Sequence, residues 1–230
     1  EETVAQLRQQ TLRGLELRDG QVTAEPLEQT LGQHAPGTIE SPQGLPVEEV
    51  AAKVQAAQRY LATRTRLGIT ALPIQECLHG ALAAGATIFP QAIAQGATWN
   101  PALVEQMGRA IARESSAMGV AQALSPLFDL ARDARYGRVE ECYGECPFLV
   151  ARMGVAFVTG LQGTVGPRPL AADRILATAK HFAGYSVPDN GINLAPSSLG
   201  ERQLRALHLA PFEAAVKEAG VQVVMPSYNE

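Results

Sequence analysis

The sequence predicts an α/β fold, and three observations predict it. From Leu67 onward the chain repeats one grammar of a short apolar run, a polar loop, a stretch of helical period and then glycine. Each apolar run is too short for a typical helix and is preceded by a chain reversal, as strands are. Strand, helix and strand in alternation need crossover connections, and these produce a parallel sheet.

Residues 1–66 read as an irregular lead-in with a first βα unit, because Thr11 to Pro46 is rich in Gly, Gln and Pro and has little periodicity. Val47 to Arg66 then shows a helical stripe of Val47, Val50, Val54, Ala57 and Leu61, stopped by Gly68. Ile69 to Ile74 is the next strand candidate. Asn100 to Met118 carries an N-cap asparagine, Pro101 at the first helical position and a stripe of Leu103, Met107, Ala110, Ile111 and Met118, with Gly119 as the stop. A strand over Ala121 to Leu127 follows, then a helix over Pro147 to Gln162 closed by Gly163, then a strand over Ile175 to Ala179. Ser198 to Ala219 opens on the capping-box pair Ser198 and Glu201 and stops at Gly220, and Pro211 should kink or split it. Val221 to Met225 is the last strand candidate.

Polar clusters stand just past the strand ends, where barrel enzymes build their sites, so the predicted architecture is a parallel (β/α)8 TIM-type barrel. A dinucleotide fold is the weaker reading, because Gly160, Gly163 and Gly166 close a helix rather than follow a strand. Only about five βα units fit before Glu230, whereas a closed barrel needs eight, so residues 67–230 are expected to be an incomplete barrel with an unpaired edge.

Composition narrows the function. With 46% hydrophobic and 18% charged residues the chain can bury a sizeable core, and its net charge of −4 with scattered basic residues excludes a nucleic-acid surface. The apolar runs are broken well short of the roughly 20 residues that span a bilayer, so no membrane partner is expected. Glu1 opens into a polar segment without a signal-like core, and a leader removed earlier would leave no trace, so compartment stays open. The three cysteines Cys77, Cys142 and Cys146 are too few and odd in number for a disulfide framework. Cys142 and Cys146 have no second Cys or His pair at ligand spacing, so no metal is expected.

Four strand ends present chemistry: Glu76 in QECLHG, Arg132 to Arg138 in ARDARYGR, Lys180 and His181 in AKHF, and Tyr228 in MPSYNE. A carboxylate, cationic donors and an imidazole converging on one place describe a polyol site, since every sugar hydroxyl both donates and accepts. Taken singly, each has a plainer reading. Arg138 can pair with Glu140 or Glu141, His79 reads as a turn residue bonded to backbone, and Trp99, the only tryptophan, reads as core.

Taken together and in order, ECLHGA at Glu76, TIFPQAIAQGATWN at Thr87, LFDLARDARYGRVEECYGE at Leu127, ATAKHFAGY at Ala177 and VVMPSYNE at Val223 resemble the N-terminal barrel of glycoside hydrolase family 3, in its β-glucosidase and β-xylosidase branch. The resemblance runs from Leu67 to Glu230. It implies that Glu76 (Asp in many relatives), Arg138, Lys180, His181 and Tyr228 line the subsite of the terminal sugar, with Asp129 and Arg132 supporting them from the rim. Ala183 and Tyr185 stand where the N-acetylglucosaminidase branch has Pro and a second His, which disfavours that branch. Ala134, Cys142, Cys146, Ser197 and Ser198 also depart from the family pattern, in loops rather than at the sugar contacts.

The resemblance further implies a retaining exo-acting β-glycosidase that removes terminal glucose or xylose from β-linked oligosaccharides. Such hydrolysis uses two carboxyl groups about 5 Å apart and no cofactor. The family's Asp nucleophile falls on the strand after the SYN turn, past Glu230, and its acid/base on a following domain, so no catalytic carboxylate is expected within the chain. The expected partners are therefore a β-linked oligosaccharide, the remaining barrel strands and a C-terminal domain. The competing reading is a sugar-binding or assembly module without its own nucleophile.

Overall fold

A computed structural model describes residues 2–17, 19–164 and 170–229. Gly166 of the glycine run and Glu230 of the final motif lie outside the described residues. The chain opens with a short helix α1 (Glu2–Ala5), followed by β1 (Gln9–Thr11), α2 (Ala24–Leu31), β2 (Thr38–Glu40) and α3 (Val47–Arg64). Next come β3 (Leu72–Gln75), the short α4 (Ala92–Ala97), α5 (Pro101–Ala117), β4 (Gln122–Ala123), α6 (Pro147–Gln162) and β5 (Thr178–Phe182). A composite helix of α7 (Glu201–Gln203), a π-helical segment at Leu204–His208 and α8 (Leu209–Lys217) leads to β6 (Val223–Pro226).

The strands pair in chain order and in parallel: β1 with β2, β2 with β3, β3 with β4, and β5 with β6. Parallel bridges from Gln122 to Leu176 and from Leu127 to Lys180 join the β4 line to the β5 line. The result is one curved parallel wall with helices between successive strands, the α/β arrangement of a partial barrel. The region read as an irregular lead-in with a first βα unit supplies two such units, β1 with α2 and β2 with α3, so it is a full part of that wall. Its strands hide in the sequence because each is three residues long and only Ile39 of β2 is buried.

Strand bounds shift from the expected ones. β3 starts three residues later than Ile69, β4 shrinks to Gln122–Ala123, and β5 runs past Ala179 to Phe182, which places Lys180 and His181 inside the strand instead of beyond it. Apolar runs mark buried chain, whereas strand bounds follow the hydrogen bonds of neighbouring strands.

The helices follow their caps and stripes. The Asn100 side chain accepts from the Leu103 N–H at 3.1 Å, and Pro101 begins α5 where its missing N–H costs nothing. The buried face is Val104, Met107, Gly108, Ile111, Ala112 and Ser115, so the stripe sits one residue on from Leu103, which is exposed. α3 buries Val50, Val54, Ala57 and Leu61 as expected, together with Lys53, whose ammonium reaches Glu49 at 2.8 Å.

The expected Ser198 capping box is absent. α7 starts at Glu201 after Gly200, and the Ser198 hydroxyl bonds Asp189 Oδ2 at 3.2 Å instead. Pro211 lies just inside α8, and the turn before it widens to π geometry, with the Leu209 N–H reaching Leu204 O. Pro211 has no N–H to offer Leu207, so a loosened turn upstream avoids the clash that a continuous helix would carry.

α5 and α6 pack backbone to backbone through two glycines. A Cβ on Gly160 would stand 2.4 Å from Glu105 O and 2.8 Å from the Gly108 Cα. Gly160→Ala must push the helices apart, and it is expected to lower stability by about 1–3 kcal/mol in urea melts. An unchanged midpoint would contradict this packing.

Candidate active site

The barrel wall aims its functional side chains from five places. Glu76 follows β3, Asp129 lies past the β4 line, Arg138 opens the 3-10 turn Val139–Glu141, and Lys180 and His181 stand on β5. Tyr228 follows β6. The peptide bonds Lys180–His181 and Phe182–Ala183 are cis.

Lys180 is 1% exposed, and its Nζ donates to both carboxylate oxygens of Glu76, at 2.9 and 3.1 Å. An ammonium so deeply buried is tolerable only because that carboxylate faces it. His181 is fully buried, with Nδ1 2.7 Å from Asp129 Oδ2 and its backbone N–H 3.3 Å from the same oxygen. On the other edge of the ring, His181 Nε2 lies 3.2 Å from Arg138 Nη1. Arg138 in turn forks onto Glu141, with Nε and Nη2 each 2.7 Å from a carboxylate oxygen.

Aromatic rings wall this chain of contacts. Tyr185, fully buried, packs at 4.7 Å from His181 and donates its hydroxyl to Asn193 Oδ1 at 2.5 Å. Tyr228 is 5.0 Å from His181 and 5.2 Å from Tyr185, yet remains 53% exposed. The five predicted positions therefore meet in one patch, with Lys180 and His181 at its floor and Glu76 and Tyr228 on its lip.

Charge is held in place here. Burial opposes the Arg138 cation, but the Glu141 carboxylate bonded to it prevails and its pKa is raised. Burial, with Glu76 and Tyr185 nearby, raises the Tyr228 phenol against the pull of Arg138, and burial beside Asp129 raises Tyr136. The phenols stay protonated, so the patch offers hydroxyl and N–H donors beside carboxylate acceptors, the mixture that sugar hydroxyls require.

Three contributors escaped the sequence reading in their actual roles. Asp129 is 2% exposed, buried beneath His181 rather than on the rim, while Arg132 is exposed and makes no bond in the patch. Tyr185, four residues past His181, carried the only signal available, its place in AKHFAGY. Glu141 holds Arg138, as the plain ion-pair reading expects, while the same guanidinium also reaches His181. His79 is a turn residue as expected, its ring 3.1 Å from Phe89 O, whereas Trp99 is 68% exposed and not core.

The chain as a whole is similar to proteins of known kind. The model of the glycosyl hydrolase family 3 N terminal domain matches residues 1–230. The chain belongs to glycoside hydrolase family 3. The match takes in the lead-in as well as the run from Leu67. Among curated relatives, a β-xylosidase of Formosa agariphila is 50% identical over 171 residues, covering 72% of the chain and 24% of that protein. A β-glucosidase of Rhizobium radiobacter is 36% identical over 172 residues, covering 72% of the chain and 20% of that protein. A solved β-glucosidase from Erythrobacter marinus superposes on the whole chain with a TM-score of 0.87 at 36% identity, the chain covering 30% of it. The family 3 chain thus spans about a quarter of the length of these relatives. Among its described residues no helix is long and apolar enough to cross a membrane.

Beside the patch, His208 ends the π-helical segment 2% exposed, and its Nε2 has no hydrogen-bond partner among the described residues. Burial and the Arg132 charge lower its pKa below the ordinary 6.5, against the pull of Asp129. The unfolded chain takes up this proton near 6.5 while the native chain resists it, so the stability His208 contributes is complete above that value and is lost as pH falls. Urea midpoints at about pH 7.5 and about pH 5.5 should differ more for the wild type than for His208→Gln. Equal acid losses in the two would contradict the burial argument.

Proposed function

We propose that this family 3 chain forms the sugar-holding wall of an exo-acting retaining β-glycosidase that removes terminal xylose or glucose from β-linked oligosaccharides. The observation that carries the reading is the meeting of the Lys180–Glu76 pair and the Arg138–His181 contact in one aromatic-walled patch. The terminal sugar would lie over this floor against Tyr228. Glu76 and Arg138 take hydroxyls from the lip, and Lys180 and His181 take them from below.

Each carboxylate of the patch is already engaged: Glu76 by Lys180, Asp129 by His181 and Glu141 by Arg138. Retaining hydrolysis also needs a carboxylate nucleophile and a partner carboxyl about 5 Å apart across the glycosidic bond. In this reading the bond-breaking pair lies outside the chain, as the family resemblance implies, with the nucleophile in sequence beyond Glu230 and the acid/base on a further domain. In this proposal residues 67–230 carry the site and residues 1–66 complete its wall, with the partners being the remaining barrel strands and a C-terminal domain. The half-identical β-xylosidase relative makes an aryl β-xyloside the first substrate to try, ahead of the glucoside.

The test is turnover. The 230-residue chain alone should release no aryl alcohol above background from β-xylosides or β-glucosides, and a protein continuing past Glu230 should release it. Turnover by the chain alone would overturn the placement of the nucleophile. Sugar binding without turnover in the longer protein would favour a binding module instead.

A further inference from the structure

We infer that Asp129 is a positioning residue that locks the His181 proton on Nδ1, so that His181 meets the sugar as a hydrogen-bond acceptor through Nε2 and never as a donor. The geometry leaves one consistent assignment. A guanidinium has only N–H groups to offer, so the Arg138 Nη1 that stands 3.2 Å from His181 Nε2 must donate, and Nε2 must carry a lone pair. On the other edge, Asp129 Oδ2 already accepts the His181 backbone N–H at 3.3 Å, and it lies 2.7 Å from Nδ1. That oxygen is an acceptor for both contacts, so Nδ1 carries the proton. The two edges were deduced separately and agree.

Burial makes the lock firm. His181 is 0% and Asp129 2% exposed, so water cannot exchange the roles of the two nitrogens. Tyr185 packs against the ring at 4.7 Å and Tyr228 at 5.0 Å, which hold its plane. The acceptor lone pair then points to Arg138, the one partner a sugar hydroxyl has to share or displace. A ligand group facing Nε2 must be a donor. A hydroxyl qualifies, and an ether or carboxylate oxygen does not.

The inference rests on the sugar-site reading only for its last step, and the test separates the two. Nitrogen NMR of histidine-labelled protein reports which ring nitrogen is protonated without any sugar present. The chain has four histidines, and loss of one signal set in His181→Gln assigns the one that matters. The wild type should show Nδ1 protonated and Nε2 bare at neutral pH. An Nε2–H ring or an imidazolium there overturns the inference.

Two variants then test Asp129 itself. In Asp129→Asn the amide oxygen can take the place of Oδ2 and accept both N–H groups, while the amide nitrogen takes the place of Oδ1, which is buried and without a partner. This variant should keep the tautomer and bind D-xylose within about threefold of the wild type. Asp129→Leu removes the acceptor, so the ring should lose its fixed tautomer and the sugar affinity should fall by roughly tenfold or more. A folded Asp129→Leu that keeps the Nδ1–H form overturns the role of Asp129. A lost tautomer with unchanged xylose affinity keeps the lock and overturns the link to sugar.

Discussion

His181→Leu is expected to lower the stability of the chain by roughly 3 kcal/mol, the largest effect of any single change at the patch. The cost arises from the partner left behind. Asp129 is 2% exposed, and with the imidazole gone its carboxylate keeps only the backbone N–H at position 181. A buried charge without its partners must either stay uncompensated or take up a proton, and both lower stability. For a domain of this size the melting temperature should drop by roughly 6–12 °C. Asp129→Leu combined with His181→Leu replaces the whole pair by apolar groups and should recover much of the loss, since a buried pair contributes little net. Additive losses in the double variant would show that the two residues do not act on each other.

Lys180→Met should do the opposite, sparing stability and removing sugar affinity. Methionine fills the unbranched volume of the lysine stem, and Glu76, 28% exposed, can turn its carboxylate to water. The change in stability should stay within about 1 kcal/mol, because the lone partner is not trapped in the core. Binding is different. A charged donor to a sugar hydroxyl contributes roughly 1.5–3 kcal/mol, so affinity should fall by about 10–150-fold. Calorimetric titration beside a thermal melt separates the two effects, and a variant with lower stability but unaltered affinity would reassign Lys180 to structure alone.

The contrast between these residues shows what the sequence could and could not display. Helices α3, α5 and α6 were legible because their stripes, caps and terminal glycines are local patterns within one turn or two. β1 and β2 were not, because three residues with one buried side chain carry no period. Motif order singled out Glu76, Arg138, Lys180, His181 and Tyr228, and the fold brings them together. Their pairing was invisible, since Lys180 meets Glu76 across 104 residues and His181 meets Asp129 across 52. Asp129 looked like a rim residue for the same reason: only the extension of β5 through His181 puts that imidazole over it. The π turn ahead of Pro211 is intermediate, because proline announced an interruption without saying which geometry would absorb it.

The claim at the centre of this account is that the floor of the patch holds a sugar. Titration of the 230-residue chain with D-xylose, read by calorimetry, tests it most directly. Saturable binding that disappears in Lys180→Met, while the melting temperature of that variant stays near the wild-type value, is the result predicted. No saturable binding, or equal affinity in the wild type and Lys180→Met, would contradict it.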